Sequence, residues 1–493
     1  MNIKYLERYE LSQEPIIIGL PHDLNDLTNF DDVDSLLNGV LKDLVDERVL
    51  STKFGEITAT GVTIQTEVRK IIAIGLGSQE DMTSHKMHKA FGKLFQHLKS
   101  NNEKSAQLLF ETFGSDIQLA AEAIGYMSYI SVYEYSGKKH REDEPFLSEF
   151  ELTITSKEPV ETHVSKGMVI GQSVNYARDI SETPPNYMTP EIFADKISST
   201  FKGKAHVNIQ IKDEFDLSDE GYGLITAVGK ASENKPRLVT VEYRHPAAHD
   251  VKPVALVGKG ITYDSGGYSI KSKTGMPGMK YDLTGAANVI GMIRGIVEMK
   301  LPVHVVATVV LAENMISGNA MKPDDVFTSL SGQTVEVKNT DAEGRLVLGD
   351  AVFHASQYSP RIILDFATLT GAVIAAIGNE RTGVFTNKDQ DLVAPIFDLS
   401  EEVGDELWRL PLGDKEERSV KSSKVADLTN HVEKPGRASF AAGFIRQFVN
   451  GSPWAHFDIA GTGTRSRRGA YGPKGATGVL IRSVIKAVEG DLI

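Results

Sequence analysis

The 493-residue sequence contains no cysteine, which rules out disulfides, thiolate metal sites and thiol nucleophiles together. It also lacks long apolar runs: spanning a bilayer takes roughly 18–20 such residues. The best candidate, Val303–Ala312, is only a strand's length and includes His304. The opening MNIKYLERYE has no basic segment followed by an apolar one, so no secretory signal is expected. H-E-x-x-H is absent, and no histidine lies between His249 and His304. The chain has no basic excess either. Its formal net charge of −13 at pH 7 favours solubility and argues against a broadly basic nucleic-acid surface. The local group Arg465, Arg467 and Arg468 reads as a solvated loop. Together these absences point to a cytoplasmic protein with neither membrane nor nucleic acid as a partner.

What remains is an ordinary globular composition, with 41% apolar and 24% charged residues. The length suggests two to four domains. In the first part, Pro15–Leu20, Lys70–Gly75 and Gln107–Phe110 read as buried strands, and His85–Leu98 and Ile117–Tyr135 as helices. That alternation predicts a small α/β domain with a partly parallel sheet and no catalytic constellation of its own. The charged run Lys138–Glu144 reads as an exposed loop. A helical pattern over Val164–Ser181 ends at Thr183-Pro184-Pro185-Asn186, because proline lacks the amide hydrogen and restricts its predecessor. Thr189 then reads as an N-cap with Pro190 at the first helical position. The expected organisation is an N-terminal α/β domain over 1–163, a linking helix over 164–185 and a larger α/β domain over 186–493 with a mixed sheet flanked by helices. Within the last, Val207–Lys212, Gly223–Val228, Leu238–Tyr243, Val254–Gly258, Val303–Leu311, Arg361–Phe366 and Ala455–Ile459 are predicted strands. Leu283–Met299 and Leu346–Ser356 are predicted helices.

Four segments of this second half carry chemistry: GKGITYDSGGYSIK (Gly258–Lys271), MKYD (Met279–Asp282), NTDAEGRLVL (Asn339–Leu348) and DFATLTG (Asp365–Gly371). Each adjoins a predicted strand or helix end, and in α/β sheets ligands gather beyond the carboxyl ends of strands. Together they supply the carboxylates Asp264, Asp282, Asp341 and Glu343, with Lys259, Lys271 and Arg345 as cationic partners. Asp341 and Glu343 are two apart, so an extended loop would project both the same way. Two divalent ions carry the charge that four carboxylates neutralise, and paired ions sit about 3.5–4 Å apart. An oxygen-dominated site suits Mg or Mn, and Zn less exclusively. Taken singly, each acidic residue near glycine is more often a turn or cap residue. GKGITYDSGG lacks the GxxxxGK[ST] spacing of a phosphate loop. DSGG resembles the serine segment of trypsin-like proteases, but Tyr263 stands where a glycine is needed.

The segment NTDAEGRLVL closely resembles the signature of the leucine (cytosol) aminopeptidase family. VGKGITYDSGG, SIK, MKYD, TGAA, DFATLTGA, WRLPL, ADLTN and WAHFDIAGT look like family segments in the family's order, from about Val164 to the C-terminus. The resemblance implies a metalloaminopeptidase with two divalent ions, Mn or Zn, with Mg and Co also compatible. Lys259, Asp264, Asp282 and Glu343 would hold the tighter ion, and Asp264, Asp341 and Glu343 the more exchangeable one. Lys271 would polarise the scissile carbonyl, and Arg345 would anchor a bicarbonate acting as general base. Met279, Thr368, Leu369, Gly371 and Ala460 would line the substrate pocket. The implied reaction is attack of a bridging water on the first peptide bond of a substrate whose free α-amino group is recognised. A homohexamer is implied as well. The chain departs from the family in SKTGMPG after SIK, and in Gly463 where some relatives have a bulkier pocket residue; a leucine preference does not follow. Two other readings use the same residues: a DNA-binding accessory role, tested by a salt-dependent mobility shift, and a two-metal phosphoesterase, which would turn over phosphate esters and no aminoacyl anilides.

Overall fold

The computed structural model describes residues 1–10, 12–27, 29–114, 116–137, 145–387 and 393–493. The run Lys138–Glu144 lies outside them. The chain forms two compact units: Met1–Gln172 with Arg467–Lys474, and Ser173–Ser466 with Gly475–Ile493. The helix Glu161–Glu182 runs through the point of division. Among the described residues no helix is long and apolar enough to cross a membrane.

The smaller unit is built on strands β1 (Asn2–Leu6), β2 (Ile16–Pro21), β3 (Ile57–Ile64), β4 (Glu67–Gly77), β5 (Ser105–Leu109) and β6 (Glu151–Thr155), in the order β1-β6-β5-β2-β4-β3. All neighbours are parallel except the β3–β4 hairpin at one edge. The helix Ser84–Ser100 buries Met87, Ala90, Phe91, Leu94, Phe95 and Leu98, the spacing of one helical face, and Thr83 caps it by accepting the Lys86 N–H at 3.2 Å. Arg467 and Arg468 are exposed, as expected of a solvated loop, whereas Arg465 is half-buried in the two-residue strand Thr464–Arg465.

The larger unit carries β7 (Val207–Lys212), β8 (Arg237–Arg244), β9 (Val254–Asp264), β10 (His304–Asn314), β11 (Val326–Thr328), β12 (Thr334–Glu336), β13 (Ile362–Ala367), β14 (Arg381–Thr386), β15 (Glu406–Arg409), β16 (Leu428–Thr429) and β17 (Trp454–Asp458). Eight form one mixed sheet in the order β15-β14-β17-β13-β9-β10-β8-β7, and β11-β12-β16 form a small second sheet. The four central strands β17, β13, β9 and β10 run parallel, so their carboxyl ends share one edge. Gly258 and Lys259 alternate across β9. A β-carbon on Gly258 would lie 2.6 Å from Ala286 Cα, while one on Gly344 would lie 2.4 Å from Lys259 Cε. The helices Thr284–Glu298 and Glu343–Ser356 therefore cover opposite faces of the sheet. That sandwich buries the central strands on both sides, which is why they read as nearly continuous apolar runs.

One predicted strand is a helix. Gly223–Gly229 is α-helical, with Leu224, Ile225 and Val228 buried. Its first-turn amides are satisfied by the buried Asp350, whose Oδ2 accepts from Leu224 N at 2.9 Å and Ile225 N at 3.1 Å. Short apolar runs fit either state, and here a distant carboxylate selects the helix. The strand predicted over Val254–Gly258 continues to Asp264. Gly258 and Gly260 serve close packing against the helix beginning at Thr284 and do not end the strand. Thr189 caps the helix Pro190–Phe201 as expected, accepting from Ile192 N at 3.3 Å.

Candidate metal centre

The edge where the central strands end gathers the acidic residues. Asp264 is the last residue of β9, and Asp282 lies in the short 3-10 turn Met279–Leu283. Asp341 precedes and Glu343 opens the helix Glu343–Ser356. One carboxylate oxygen from each of Asp264, Asp341 and Glu343 falls within 4.8 Å of the others, the one such group found among the described residues. The expectation of an extended loop is corrected here. Ala342 has φ −113 and ψ 41, and Asp341 and Glu343 converge because the chain turns into a helix between them.

Two lysines thread the carboxylates. Lys259 Nζ lies 2.7 Å from Asp282 and 3.1 Å from Glu343 Oε1, and donates to Thr368 O at 2.9 Å. Lys271 Nζ lies 2.7 Å from Asp264 Oδ2 and 2.6 Å from Asp341 Oδ1. The inner set is almost dry, with side-chain exposure of 3% for Lys259 and Glu343. The outer set opens to solvent, at 17% for Lys271 and 34% for Asp341. Burial alone would depress the Lys259 ammonium, but Asp282, Glu343 and Asp264 outweigh it and hold the group above its usual range. Lys271 is raised against burial in the same way, by Asp264 and Glu343. Burial and the neighbouring charges of Glu343 and Asp282 push the Asp264 carboxyl up, while burial raises Asp282 against the pull of Lys259. Glu343 is desolvated too, yet Lys259 and Lys271 keep it below its usual range.

The donor set fits divalent cations. Four carboxylates face two ammonium groups in a poorly hydrated place, so negative charge is in excess. Asp282 Oδ2 and Asp341 Oδ1 are buried with no hydrogen-bond donor besides the one lysine ammonium that each faces, at 2.7 and 2.6 Å. Hard oxygen donors of this kind suit Mg, Mn and related ions.

Arg345 projects from the same helix as Glu343 and is nearly buried. Its Nη1 donates to Asn430 O at 2.9 Å, while its buried Nε has no hydrogen-bond partner. Desolvation lowers its pKa to about 10, which leaves it a cation at neutral pH.

Of the expected pocket residues, Thr368 and Met279 adjoin Asp282. Thr368 Oγ1 donates to Asp282 Oδ1 at 2.9 Å, and Met279 shares the turn of Asp282. Leu369 N and Ala460 N both donate to Asp458 Oδ1, at 3.1 and 3.2 Å. Gly371 opens the helix Gly371–Ile377, with nothing within 4 Å of its β-carbon position. Asp365, in the same segment, serves the core: it accepts from Trp454 Nε1 at 2.6 Å and His456 Nδ1 at 2.5 Å.

Several residues that build the site carry no role assigned from the sequence, although Asn430, Asp458 and Gly266 lie within the segments ADLTN, WAHFDIAGT and GKGITYDSGG. Asn314, at the end of β10, donates from Nδ2 to Asp264 Oδ1 at 2.8 Å and to Thr340 O at 3.0 Å. Asn430, just past β16, receives the Lys338 amide at 2.8 Å and donates to Asn339 O at 2.7 Å, which fixes the NTDAEG loop. Asp458, at the end of β17, ties DFATLTG to DIAG by also accepting from Thr370 Oγ1 at 2.7 Å. Gly266, at φ +86, lets its loop pass so close that a β-carbon would lie 2.8 Å from Asp341 Oδ1.

Known proteins resemble this chain along most of its length. The profile of the cytosol aminopeptidase family catalytic domain matches residues 175–485, and that of the family's N-terminal domain matches residues 17–142. A probable cytosol aminopeptidase of Bacillus licheniformis is 35% identical over 97% of both chains. One from Exiguobacterium sibiricum is 38% identical over 93% of this chain and 95% of its own. Among solved structures, the bottromycin maturation enzyme BotP in complex with Mn superposes with a TM-score of 0.84 at 28% identity, covering 98% of this chain and all of that one.

Proposed function

The chain belongs to the cytosol aminopeptidase family and is a metal-dependent peptide hydrolase, and on that premise we propose that it removes N-terminal residues from peptides by a two-metal mechanism. The observation that carries the two-metal reading is the convergence of Asp264, Asp341 and Glu343 beside a second, drier group of Lys259 and Asp282. Lys259, Asp264, Asp282 and Glu343 would hold the tighter ion. Asp264, Asp341 and Glu343 would hold the more exchangeable one, in keeping with the greater exposure of Asp341. When bound, the ions supply Lewis acidity, drawing electron density from the scissile carbonyl and lowering the pKa of water. A ligating lysine must be neutral, so Lys259 would give up its proton where its carboxylate partners turn to the ion.

Lys271 Nζ stands at the open side of the cluster and donates a hydrogen bond to the oxygen that gains charge as the carbonyl is attacked. The guanidinium of Arg345 cannot accept a proton. Its orphaned Nε suits an oxyanion, and bicarbonate held there would bring the basicity that the side chains lack. A free α-amino group would offer the bound ions a lone pair that an acylated amine lacks, which would restrict cleavage to peptides with a free N-terminus. Met279, Thr368, Leu369, Gly371 and Ala460 would line the pocket for the first side chain. At Gly463 a β-carbon would approach Thr368 Cγ2 to 3.3 Å, so a larger residue would crowd that wall. The N-terminal domain (1–163), joined by the helical link 164–185 to the catalytic domain (186–493), would serve assembly of a cytoplasmic homohexamer.

The test is the substrate's amino group. Hydrolysis should proceed on a free dipeptide or aminoacyl anilide and fall below detection when the same substrate is N-acetylated. Efficient cleavage of the acetylated substrate, or of internal bonds, would contradict the proposal.

A further inference from the structure

The last turn of the helix Glu161–Glu182 contacts both the turn Met279–Leu283 and the segment 475–477. Glu182 accepts from Tyr281 Oη at 2.8 Å and Lys280 Nζ at 3.2 Å, and its backbone carbonyl accepts from Lys280 Nζ at 2.6 Å. Both partners belong to the turn that carries Met279 and Asp282. Its other oxygen accepts from Ala476 N at 2.7 Å. One helical turn earlier, Arg178 donates from Nε and Nη2 to Thr477 O at 3.0 and 2.9 Å. Thr477 in turn donates from its amide to Gly463 O at 3.0 Å and from Oγ1 to Thr462 O at 2.7 Å. The spacing of Arg178 and Glu182 puts them on one helix face. The two walls meet beside Thr284, whose Cγ2 would lie 3.5 Å from a β-carbon on Gly463 and whose Oγ1 donates to Tyr281 O at 2.6 Å. The Ala476 contact is built tightly: Gly475 has φ +116, and a β-carbon there would fall 2.0 Å from Glu182 Oε1.

We propose that Glu182, supported by Arg178, is a positioning residue that sets the separation of the Met279–Asp282 wall from the Ala460–Gly463 wall and so tunes which first side chain is accepted. Glu182 lies outside the acidic cluster and needs no contact with substrate. It is a partly buried carboxylate, 13% exposed, whose charge is spent on the Lys280 ammonium and whose remaining acceptor sites hold Tyr281 and Ala476 in register. The proposal rests on the assignment of Met279 and Asp282 to the substrate and metal site.

The experiment compares Glu182→Ala, Glu182→Gln and Tyr281→Phe with the parent on leucyl and alanyl anilides, alongside melting temperature and amide exchange of the metal-free proteins. Small displacements of binding groups cost up to about 10²-fold. Glu182→Ala is therefore expected to lower kcat/KM by about 10-fold to 100-fold, unequally for the two substrates and mainly through KM. The Ala476 amide should exchange faster even without metal. Glu182→Gln can still accept from Ala476 and donate to Tyr281, and should recover part of the parent's leucyl-to-alanyl ratio. An unchanged ratio in folded Glu182→Ala would overturn the clamp. Should that variant fail to fold, an unchanged ratio in both Glu182→Gln and Tyr281→Phe would do so. Asp282→Asn separates the two levels: if it keeps full metal content and activity, the site assignment itself falls, whereas its inactivity beside unchanged ratios removes only the clamp.

Discussion

Lys259 and Lys271 carry the same ammonium and face overlapping carboxylates, yet their surroundings assign them different work. The stem of Lys259 is wedged under Gly344 and its head is enclosed by Asp282, Glu343 and Thr368 O, so it is a fixed part of the inner cluster. Lys271 stands on a loop at the solvent side, where a substrate carbonyl can reach it. Lys259→Ala should lower metal content, with activity partly restored by excess metal. Lys271→Ala should keep its metal and lose about 10²–10³ in kcat, the usual cost of one oxyanion donor, with KM little changed. Metal analysis beside steady-state kinetics reads both, and loss of metal from Lys271→Ala alone would reverse the roles. These residues were legible in the sequence because carboxylates and lysines cluster in long, specific segments. Asn314 was not, and Asn430, though it closes the segment ADLTN, showed no role there. Their work is to hold Asp264 and the NTDAEG loop through single amide hydrogen bonds, and an asparagine at a strand end has no pattern that distinguishes this from an ordinary turn.

At the scale of elements, apolar periodicity located the central strands, because burial on both faces leaves a strong signature. It failed where tertiary contacts decide the state. Gly223–Gly229 is too short to be stable alone as a helix, and it persists because Asp350, 126 residues from Leu224, closes its first turn. Asp350 also accepts from Leu330 N at 2.8 Å, joining this helix to the loop after β11. Burial raises the Asp350 carboxyl to about 7 against the opposing pull of its three amide partners. Asp350→Asn presents an N–H group to N–H donors and leaves at least one buried amide unsatisfied. It should cost about 1–3 kcal/mol of stability and speed amide exchange at Leu224 and Ile225. Unchanged melting and unchanged exchange at those two amides would show that the helix does not depend on this carboxylate. The extension of β9 to Asp264 was hidden for the converse reason: its glycines look like strand terminators, whereas in the fold they admit the neighbouring helix.

Across the whole molecule, a mixed sheet brings segments more than 75 residues apart in sequence to one edge. Asp264 and Glu343 arrive there on different elements, the end of β9 and the start of a helix on one face of the sheet. The order of the strands in the sheet was not legible from sequence, because it depends on which helices cross which face; the convergence at strand carboxyl ends was, as a general property of such sheets. The central claim is that this convergence makes a two-ion hydrolytic centre. Titrating Mn into metal-stripped protein, with bound metal and leucyl-anilide hydrolysis followed in the same samples, tests it most directly. The account predicts two ions per chain, with activity rising with the weaker, second equivalent, and a Glu343→Ala protein that binds fewer ions and is inactive. Full activity at one equivalent or none, or an active Glu343→Ala enzyme holding two ions, would contradict it.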